Sequence, residues 1–324
     1  MALDLTLLSV TLAVALSALT AGAQTPPKSR VDPATEAQQG MNLAGVGRCP
    51  EALPILKKSA ARIADKDLKK RAALAGVRCA LALNQQGAAG DFLSLLSREF
   101  PGDPEVLYVT VHAYSDLSER AALQLARTAP SSIPAIELDA ESLEVQGRWD
   151  EATEKYRKIL QQNPGMIGMH YRIGRALLSK TSSDPVVSEE ARKEFEQELQ
   201  LDPNNPGAEY VLAGLARRDA HLEEAIQHYS RASQLDPTLG DAFLGLGAAL
   251  VDARRFAEAV PQLERAVKLE PQNPTAHFQL ATAYSRSGRK DDADREFAVH
   301  RDLAEKARAA GGTPPDAAPP DRPQ

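Results

Sequence analysis

The sequence contains 324 residues, of which 43% are hydrophobic, 25% are charged and 5% are aromatic. This composition is typical of a globular protein. The formal net charge of −6 argues against a general nucleic-acid-binding protein, because such a protein would carry a basic face. The low aromatic content favours arrays of small helices packed through Ala and Leu over a few large cores.

Residues 1–23 have the pattern of a secretory signal peptide. Leu5–Leu19 is an uncharged apolar run, and Ala21-Gly22-Ala23 is a small-x-small cleavage pattern. The run is shorter than the ~20 residues of a membrane-spanning helix. We therefore expect cleavage and export to the periplasm or the exterior. The alternative is an inner-membrane anchor through residues 5–23, because the leader carries Asp4 and no Lys or Arg; the membrane is a partner only in that case.

The chain has two cysteines, Cys49 and Cys79. In an exported protein they can form a disulfide. Alternatively, each is a small apolar side chain buried on its own helix. Because no Cys-x-x-Cys sequence is present, we expect neither a redox motif nor a thiolate metal site.

A 34-residue period runs through the second half of the chain. Four alanines share this period, and so do three prolines and the large residue that follows each alanine by four positions. These residues are Ala191, Ala225, Ala259 and Ala293; Pro203, Pro237 and Pro271; and Phe195, Tyr229, Leu263 and Phe297. A fixed period of this length indicates stacked structural repeats.

Each period has the pattern of a helical hairpin. In residues 240–271, Leu246 and Leu250 belong to one helical stripe, and Ala259 and Leu263 belong to a second. The closing proline ends the second helix, since it lacks an N–H and disfavours helical backbone before it. A single hairpin cannot bury both of its apolar faces, so neighbouring hairpins must stack.

This pattern resembles the tetratricopeptide repeat, a 34-residue helix–turn–helix unit. The unit that starts near residue 274 has the family's residues in order: Leu280-Ala281, Tyr284, Gly288, Ala293 and Phe297. The resemblance implies an all-α, right-handed superhelical solenoid of about eight antiparallel helix pairs. It also implies a protein that binds other proteins and has no catalytic activity.

The resemblance divides the chain after the leader into four parts. Residues 24–32 form a linker, residues 33–132 hold degenerate repeats, residues 133–309 hold the clear repeats, and residues 310–324 form a disordered Pro-rich tail. The clear units start near residues 133, 167, 206, 240 and 274.

Two segments depart from the regular spacing. Ser179–Ser188 is predicted to be a polar loop that lengthens one unit by five residues. Residues 105–130 are predicted to form a shortened hairpin, with Val111 and Tyr114 on its first helix and Ala121 and Leu125 on its second.

No constellation of residues predicts catalysis. The six histidines are scattered, and no phosphate-binding loop, zinc-protease motif or nucleophile elbow is present. We therefore expect a non-enzyme without cofactor, metal or small-molecule substrate.

In this family, the first helices form an inner, concave surface that typically holds an extended peptide or a partner helix. The resemblance places two kinds of residue there. The candidate contacts in the regular units are aromatic, aliphatic and Arg side chains, which suit a peptide with carboxylate groups, and one earlier unit presents three carboxylates. The candidates are Tyr171, Arg175, Tyr210, Arg217, Leu244 and Phe278, with Glu137, Glu141 and Glu144 as the acidic set.

The sequence thus predicts a scaffold that binds a protein or peptide, of unknown identity, in the bacterial envelope. The alternative is a permanent structural subunit of an envelope assembly or secretion complex. The Ala- and Arg-rich composition favours a bacterial source.

Overall fold

A computed structural model describes residues 32–180 and 185–309. The predicted signal peptide, nearly all of the linker and the Pro-rich tail lie outside the described residues. The described residues form fifteen α-helices, one short 3-10 helix and no strand, which confirms the all-α class. In the part of the chain that the structure describes, no helix combines the length and the apolar character needed to cross a membrane.

The helices follow one another with short connections. The first five are α1 Pro33–Gly45, α2 Cys49–Ser59, α3 Lys66–Ala82, α4 Gln86–Glu99 and α5 Pro104–Thr128. The next five are α6 Ile133–Val145, α7 Trp149–Gln162, α8 Met169–Lys180, α9 Pro185–Leu201 and α10 Pro206–Arg218. The last five are α11 Leu222–Leu235, α12 Gly240–Asp252, α13 Phe256–Leu269, α14 Pro274–Arg286 and α15 Lys290–Ala309.

The chain divides into two compact units between Ala121 and Ala122. The first unit contains the hairpins α1–α2 and α3–α4 and most of α5. The second unit contains the hairpins α6–α7, α8–α9, α10–α11, α12–α13 and α14–α15. Consecutive hairpins of the second unit pack on each other, as in a solenoid.

The same pairing of a small and a large residue closes the hairpins of both units. A Gly or Ala on the first helix faces a large side chain on the second helix, and the two are separated by the same sequence interval in every unit of regular length. At the glycines, an added β-carbon would meet the large side chain within 3 Å, so the helices approach closely. The glycine pairs are Gly40 with Leu56, Gly76 with Phe92, Gly174 with Phe195 and Gly247 with Leu263. The two hairpins of the first unit therefore pack like the regular repeats, although their sequence resemblance is weak.

The turns between paired helices also recur at the repeat spacing. Ala220, Arg254 and Gly288 have positive φ angles of 61°, 58° and 87° and occupy equivalent positions in consecutive repeats. The left-handed backbone reverses the chain after the first helix in these hairpins. Only Gly adopts it without steric cost, so the two non-glycine residues are held there by the packing around them.

The predicted hairpin over residues 105–130 is wrong. This segment is one continuous helix, α5, whose 25 residues include Val111, Tyr114, Ala121 and Leu125. The physical reason is local: from Glu105 to Thr128 the sequence has no Gly or Pro that would interrupt a helix. The described residues thus contain seven hairpins and one helix without a hairpin partner.

The predicted loop Ser179–Ser188 is shorter than expected. Helix α8 continues to Lys180, and α9 begins at Pro185. Proline is favoured in the first turn of a helix, where its missing N–H has no partner to lose. Most of the additional residues therefore lengthen α9, and residues 181–184 lie outside the described part.

Candidate functional site

The second unit has an inner side formed by first helices. Helix α10 contacts α12, and α12 contacts α14, in addition to the contacts within each hairpin. The corresponding second helices, α11, α13 and α15, do not form principal contacts with one another. The stack α10–α15 therefore bends toward its first helices, which carry four of the predicted contact residues.

Three predicted contact residues form a row along this inner side. Tyr210 on α10, Leu244 on α12 and Phe278 on α14 are all half-buried and follow one another at the repeat period. We call these three side chains the inner stripe. Because they occupy the same register on neighbouring helices, they form a row of half-buried apolar side chains across the three first helices.

The aromatic members of the inner stripe pack against aromatic side chains of the second helices. The ring of Tyr210 packs edge-on against Tyr229 with 5.7 Å between centroids, and Phe278 packs the same way against Phe297 at 6.0 Å. Edge-to-face pairs at this separation are favourable beyond the area that they bury. These two side chains of the stripe are therefore held in fixed positions.

Small residues follow the inner stripe by one helical turn. Gly214, Ala248 and Thr282 each lie four residues after a stripe residue and so share its face of the helix. A β-carbon on Gly214 would meet only the hydroxyl of Tyr229, at 3.6 Å, which is ordinary contact. We call the strip formed by these three small residues and the inner stripe the channel; Ala248, at its centre, is buried.

Tyr171, another predicted contact, has a structural role as well. Its ring packs edge-on against Phe195 with 5.6 Å between centroids. Its hydroxyl approaches Gly207 so closely that a β-carbon there would lie 2.8 Å away. Tyr171 therefore joins its own hairpin to the start of α10. Arg175 remains exposed, with its guanidinium carbon 6.0 Å from the centre of the Tyr171 ring.

Arg217 does not offer the unpaired positive charge that the sequence suggests. Its Nε lies 2.7 Å from Oδ2 of Asp252, at the end of the neighbouring first helix α12. A carboxylate from a partner would have to compete with Asp252 for this guanidinium. Arg175 is thus the better candidate for binding a carboxylate.

The acidic set on α6 is partly neutralised. Arg172 on α8 lies 2.8 Å from Glu141 and 3.6 Å from Glu137. The same guanidinium lies over the ring of Tyr156, 5.7 Å from its centre. Burial raises the pKa of Tyr156 to about 12, and the carboxylate of Glu144 adds to the effect. The predicted negative patch is therefore a mixed-charge network.

The pKa values of two groups beside the inner stripe are also shifted. Burial raises the pKa of Tyr210 to about 12, with contributions from the carboxylates of Asp241 and Glu270. Burial also raises the pKa of Asp241, and the charge of Glu270 acts in the same direction. A further negative charge is thus disfavoured at this end of the channel, where the carboxylates of Asp241 and Glu270 lie.

Sequence reasoning missed three His–carboxylate pairs within hairpins. The Nδ1 atoms of His170, His228 and His277 lie 2.6, 2.5 and 2.6 Å from carboxylate oxygens of Glu194, Glu209 and Glu296. The residues on the second helices, Glu194, His228 and Glu296, share the repeat register. In the α10–α11 hairpin the histidine lies on the second helix and the glutamate on the first, whereas the other two hairpins have the opposite arrangement. This exchange hid the pattern in the sequence.

These pairs lack the third ligand that a metal site needs. Among the described residues, no group of three or more His, Cys, Asp or Glu side chains could hold a metal ion. The pairs therefore act as polar contacts between the two helices of a hairpin.

In the first unit, a disulfide joins Cys49 and Cys79, with 4.9 Å between the Cα atoms. Cys49 begins α2 and Cys79 lies on α3, so the bond connects the two hairpins of this unit. Of the two alternatives for the cysteines, the structure has the bonded one.

Comparison with known families gives a clear result for the second unit. Two models described as tetratricopeptide repeat match residues 188–239 and 250–311. These segments coincide with the hairpins whose small–large pairs and turns recur at the repeat period. Residues 188–239 and 250–311 are thus tetratricopeptide repeats. The repeat is in general a non-catalytic protein-interaction module.

Several solved structures are similar to part of this chain. A crystal structure of MamA shares 20% sequence identity, covers 55% of this chain and 94% of its own, and has a TM-score of 0.48. The crystal structure of YrrB, described as a TPR protein with an unusual peptide-binding site, shares 18% identity, covers 59% and 95%, and has a TM-score of 0.49.

A third structure, MamA from residue 41 to the end from Desulfovibrio magneticus RS-1, shares 18% identity, covers 54% and 96%, and has a TM-score of 0.48. A comparison with curated protein sequences finds no match.

Proposed function

We propose that the protein is a non-catalytic scaffold that binds a segment of a partner protein in the channel of the second unit. The observation that carries this proposal is the inner stripe of Tyr210, Leu244 and Phe278, together with the small residues of the channel. Apolar side chains that are held in fixed positions bury a partner's side chains at a low cost in conformational entropy. Specificity then comes from the few polar groups at its edges.

The residues around the channel indicate the chemistry of the partner segment. The stripe favours aliphatic or aromatic side chains, because its own members are two aromatic residues and a leucine. The exposed guanidinium of Arg175 favours a carboxylate on the part of the segment that lies near α8. We therefore propose a segment with several apolar side chains and an acidic group near one end.

The proposal includes export to the bacterial envelope. The support is the pattern of residues 1–23 in the sequence, together with a disulfide in the first unit, since disulfides persist in oxidising compartments. Amino-terminal sequencing of the protein from its source tests this part. A chain that begins near Gln24 in a periplasmic fraction is the expected result, and a chain that retains residues 5–19 in the membrane would contradict it.

Affinity capture followed by mass spectrometry tests the channel. The purified protein should retain a partner from an envelope extract, and Gly214→Gln should lose that partner because the new side chain fills the channel. The surroundings of Gly214 accept a β-carbon without a clash. Circular dichroism should therefore show a folded variant.

Gly90→Gln is the matched control for this experiment. Gly90 lies on α4 in the first unit, and a β-carbon there meets no atom within 4 Å. This variant should capture the partner as the unchanged protein does. Equal capture by Gly214→Gln would show that the channel is not the contact surface.

A permanent structural subunit is the second candidate function, because α5 leaves large apolar side chains exposed in the first unit. Native size measurement of an untreated extract separates the two functions. A permanent subunit would occur only in a large assembly, whereas a scaffold with an exchangeable partner would also occur as a small species.

A further inference from the structure

Helix α5 carries an apolar face that nothing in the first unit covers. Leu107, Tyr108, Val111 and Tyr114 are 50%, 66%, 64% and 53% exposed. Their spacing of three and four residues places them on one side of the helix. Single exposed apolar residues are ordinary on a protein surface, but a cluster of four large ones on one helical face marks an interaction site.

The opposite face of α5 is packed against the first unit. Val106 and Ala113 are buried in its core, and Val109 and Leu117 pack against that core. The helix is therefore held in place and cannot turn its apolar face inward. The face of α5 directed away from this core is apolar.

Three of the four residues are placed symmetrically about Val111, while Ser115 stands at the position that would match Leu107. Tyr108 lies three residues before Val111, and Tyr114 lies three residues after it. In an antiparallel pair of identical helices related by a two-fold axis at Val111, each Tyr108 would meet Tyr114 of the other copy. Such a self-complementary patch is what a two-fold interface requires.

Charge does not oppose a second copy of the same helix. From Val106 to Ser115 the sequence contains no Asp, Glu, Lys or Arg, so two copies would bring no like charges together at the centre. His112 lies in this span, and its ring packs against Tyr108 with 4.3 Å between centroids. The face thus has neither a charge that needs a complement nor one that opposes pairing.

We propose that this face binds a second copy of the chain, as an antiparallel α5–α5 pair with its two-fold axis at Val111. The exposed parts of the four side chains amount to an apolar patch on the order of 400 Å² per copy. A standard protein interface buries about 800 Å² per partner. The dimer is therefore reversible and weaker than an obligate one, and its formation does not depend on the channel of the second unit.

Sedimentation equilibrium of the purified full-length protein tests the proposal. The unchanged protein should pass from monomer to dimer as its concentration rises to several hundred micromolar. Tyr108→Glu should remove the dimer, because pairing would bury a charge in an apolar contact. Val145→Glu is the matched control, since Val145 is an exposed apolar residue at the end of α6, 90% exposed, and this variant should dimerise normally.

Single cysteines test the position of the two-fold axis. In Val111→Cys the two new thiols would face each other, so mild oxidation should give a covalent dimer. In Ser118→Cys the thiols lie on the same face but about 20 Å apart along the paired helices, because each is seven residues from the axis. This variant should stay monomeric on a denaturing gel.

Three outcomes would overturn the proposal: a monomer at every concentration, a dimer that Tyr108→Glu leaves intact, or equal cross-linking of the two cysteine variants. Circular dichroism of Tyr108→Glu excludes unfolding as the reason for a lost dimer. A partner helix from another protein would give the first outcome, with α5 still exposed in the purified monomer.

Discussion

Gly247 on α12 lies so close to Leu263 on α13 that a β-carbon on the glycine would fall 2.3 Å from the leucine Cγ. This distance is far shorter than any ordinary contact between carbon atoms. The two helices of the hairpin can approach only because one of them has no side chain at this point. The 34-residue repeat depends on such a small residue at the equivalent position of each hairpin.

Gly247→Ala should therefore destabilise the second unit, even though alanine is the better helix former. Leu263 is fully buried and cannot move aside without displacing its neighbours. Overpacking of this kind costs about 1–3 kcal/mol. Urea unfolding followed by circular dichroism should show a lower midpoint with an unchanged slope.

Gly214→Ala is the control and should have the opposite sign. Its β-carbon would make one ordinary contact of 3.6 Å with the Tyr229 hydroxyl. Helix propensity is then the main contribution to the change in stability, and alanine is favoured over glycine within a helix by about 0.8–1 kcal/mol. If both variants lost stability equally, the close approach of Gly247 and Leu263 would not be the cause.

The disulfide should contribute to the stability of the first unit. It closes a loop between Cys49 and Cys79, which are 30 residues apart in sequence. Restricting the unfolded chain by such a loop is worth at most about 3–4 kcal/mol. Reduction with dithiothreitol should lower the free energy of unfolding of the first unit. Faster hydrogen exchange of the α2 and α3 amides would show this loss.

Two comparisons isolate the effect of the disulfide. The amides of α12 and α13, in the second unit, should exchange at the same rate with and without reductant. The double variant Cys49→Ala, Cys79→Ala should have the reduced stability in both conditions. If dithiothreitol destabilised that variant too, the loss would come from something other than this bond.

The fold could be predicted from the sequence because the repeat spacing reports directly on packing. The alanines and large residues recur at a fixed period since each hairpin has to fit the next one in the same way. Gly40 and Gly76 are small for the same reason, because each lies against a large side chain of its partner helix, although little else in the first unit resembles a repeat. By contrast, α5 gives no periodic signal, because its apolar residues pack on one side and are exposed on the other.

The candidate site was harder to predict, because charge pairing depends on neighbours that are distant in sequence. Arg217 and Asp252 are 35 residues apart, and Arg172 reaches Glu141 across 31 residues. The sequence places each residue on a helical face but does not say which charges neutralise each other. The register of Tyr210 was predictable, whereas its burial against Tyr229 required the structure.

The raised pKa of Tyr210 should affect stability in alkali. The unfolded tyrosine ionises near its ordinary value of 10.0, while the folded residue holds its proton until about 12. Since the unfolded state loses the proton first, stability falls as the pH rises through this range. Tyr210→Phe keeps the ring contact with Tyr229 and removes the hydroxyl.

This variant should therefore lose less stability than the unchanged protein between pH 10 and pH 12. Urea unfolding at several pH values measures the difference, with neutral pH as the internal reference. A difference between the two proteins that is constant from neutral pH to pH 12 would show that Tyr210 does not titrate differently in the two states.

Glu198 is a fully buried carboxylate with a role that its sequence context does not reveal. It lies near the end of α9 and accepts hydrogen bonds from the backbone N–H groups of Gly168, at 2.7 Å, and Tyr171, at 3.2 Å. These N–H groups lie at the start of α8, where a helix has no internal acceptors for them. Glu198 thus satisfies the start of one helix from the end of its partner.

Glu198→Gln should destabilise the second unit by about 1–3 kcal/mol, because one of the two partly buried N–H groups would then face an amide NH₂ and lose its acceptor. The loss should appear in urea unfolding and as faster hydrogen exchange at Tyr171. Glu196→Gln is the matched control: Glu196 is exposed two residues earlier on α9, and its change should stay within about 0.5 kcal/mol. Equal stability of the two variants would mean that the Glu198 carboxylate does not hold the start of α8.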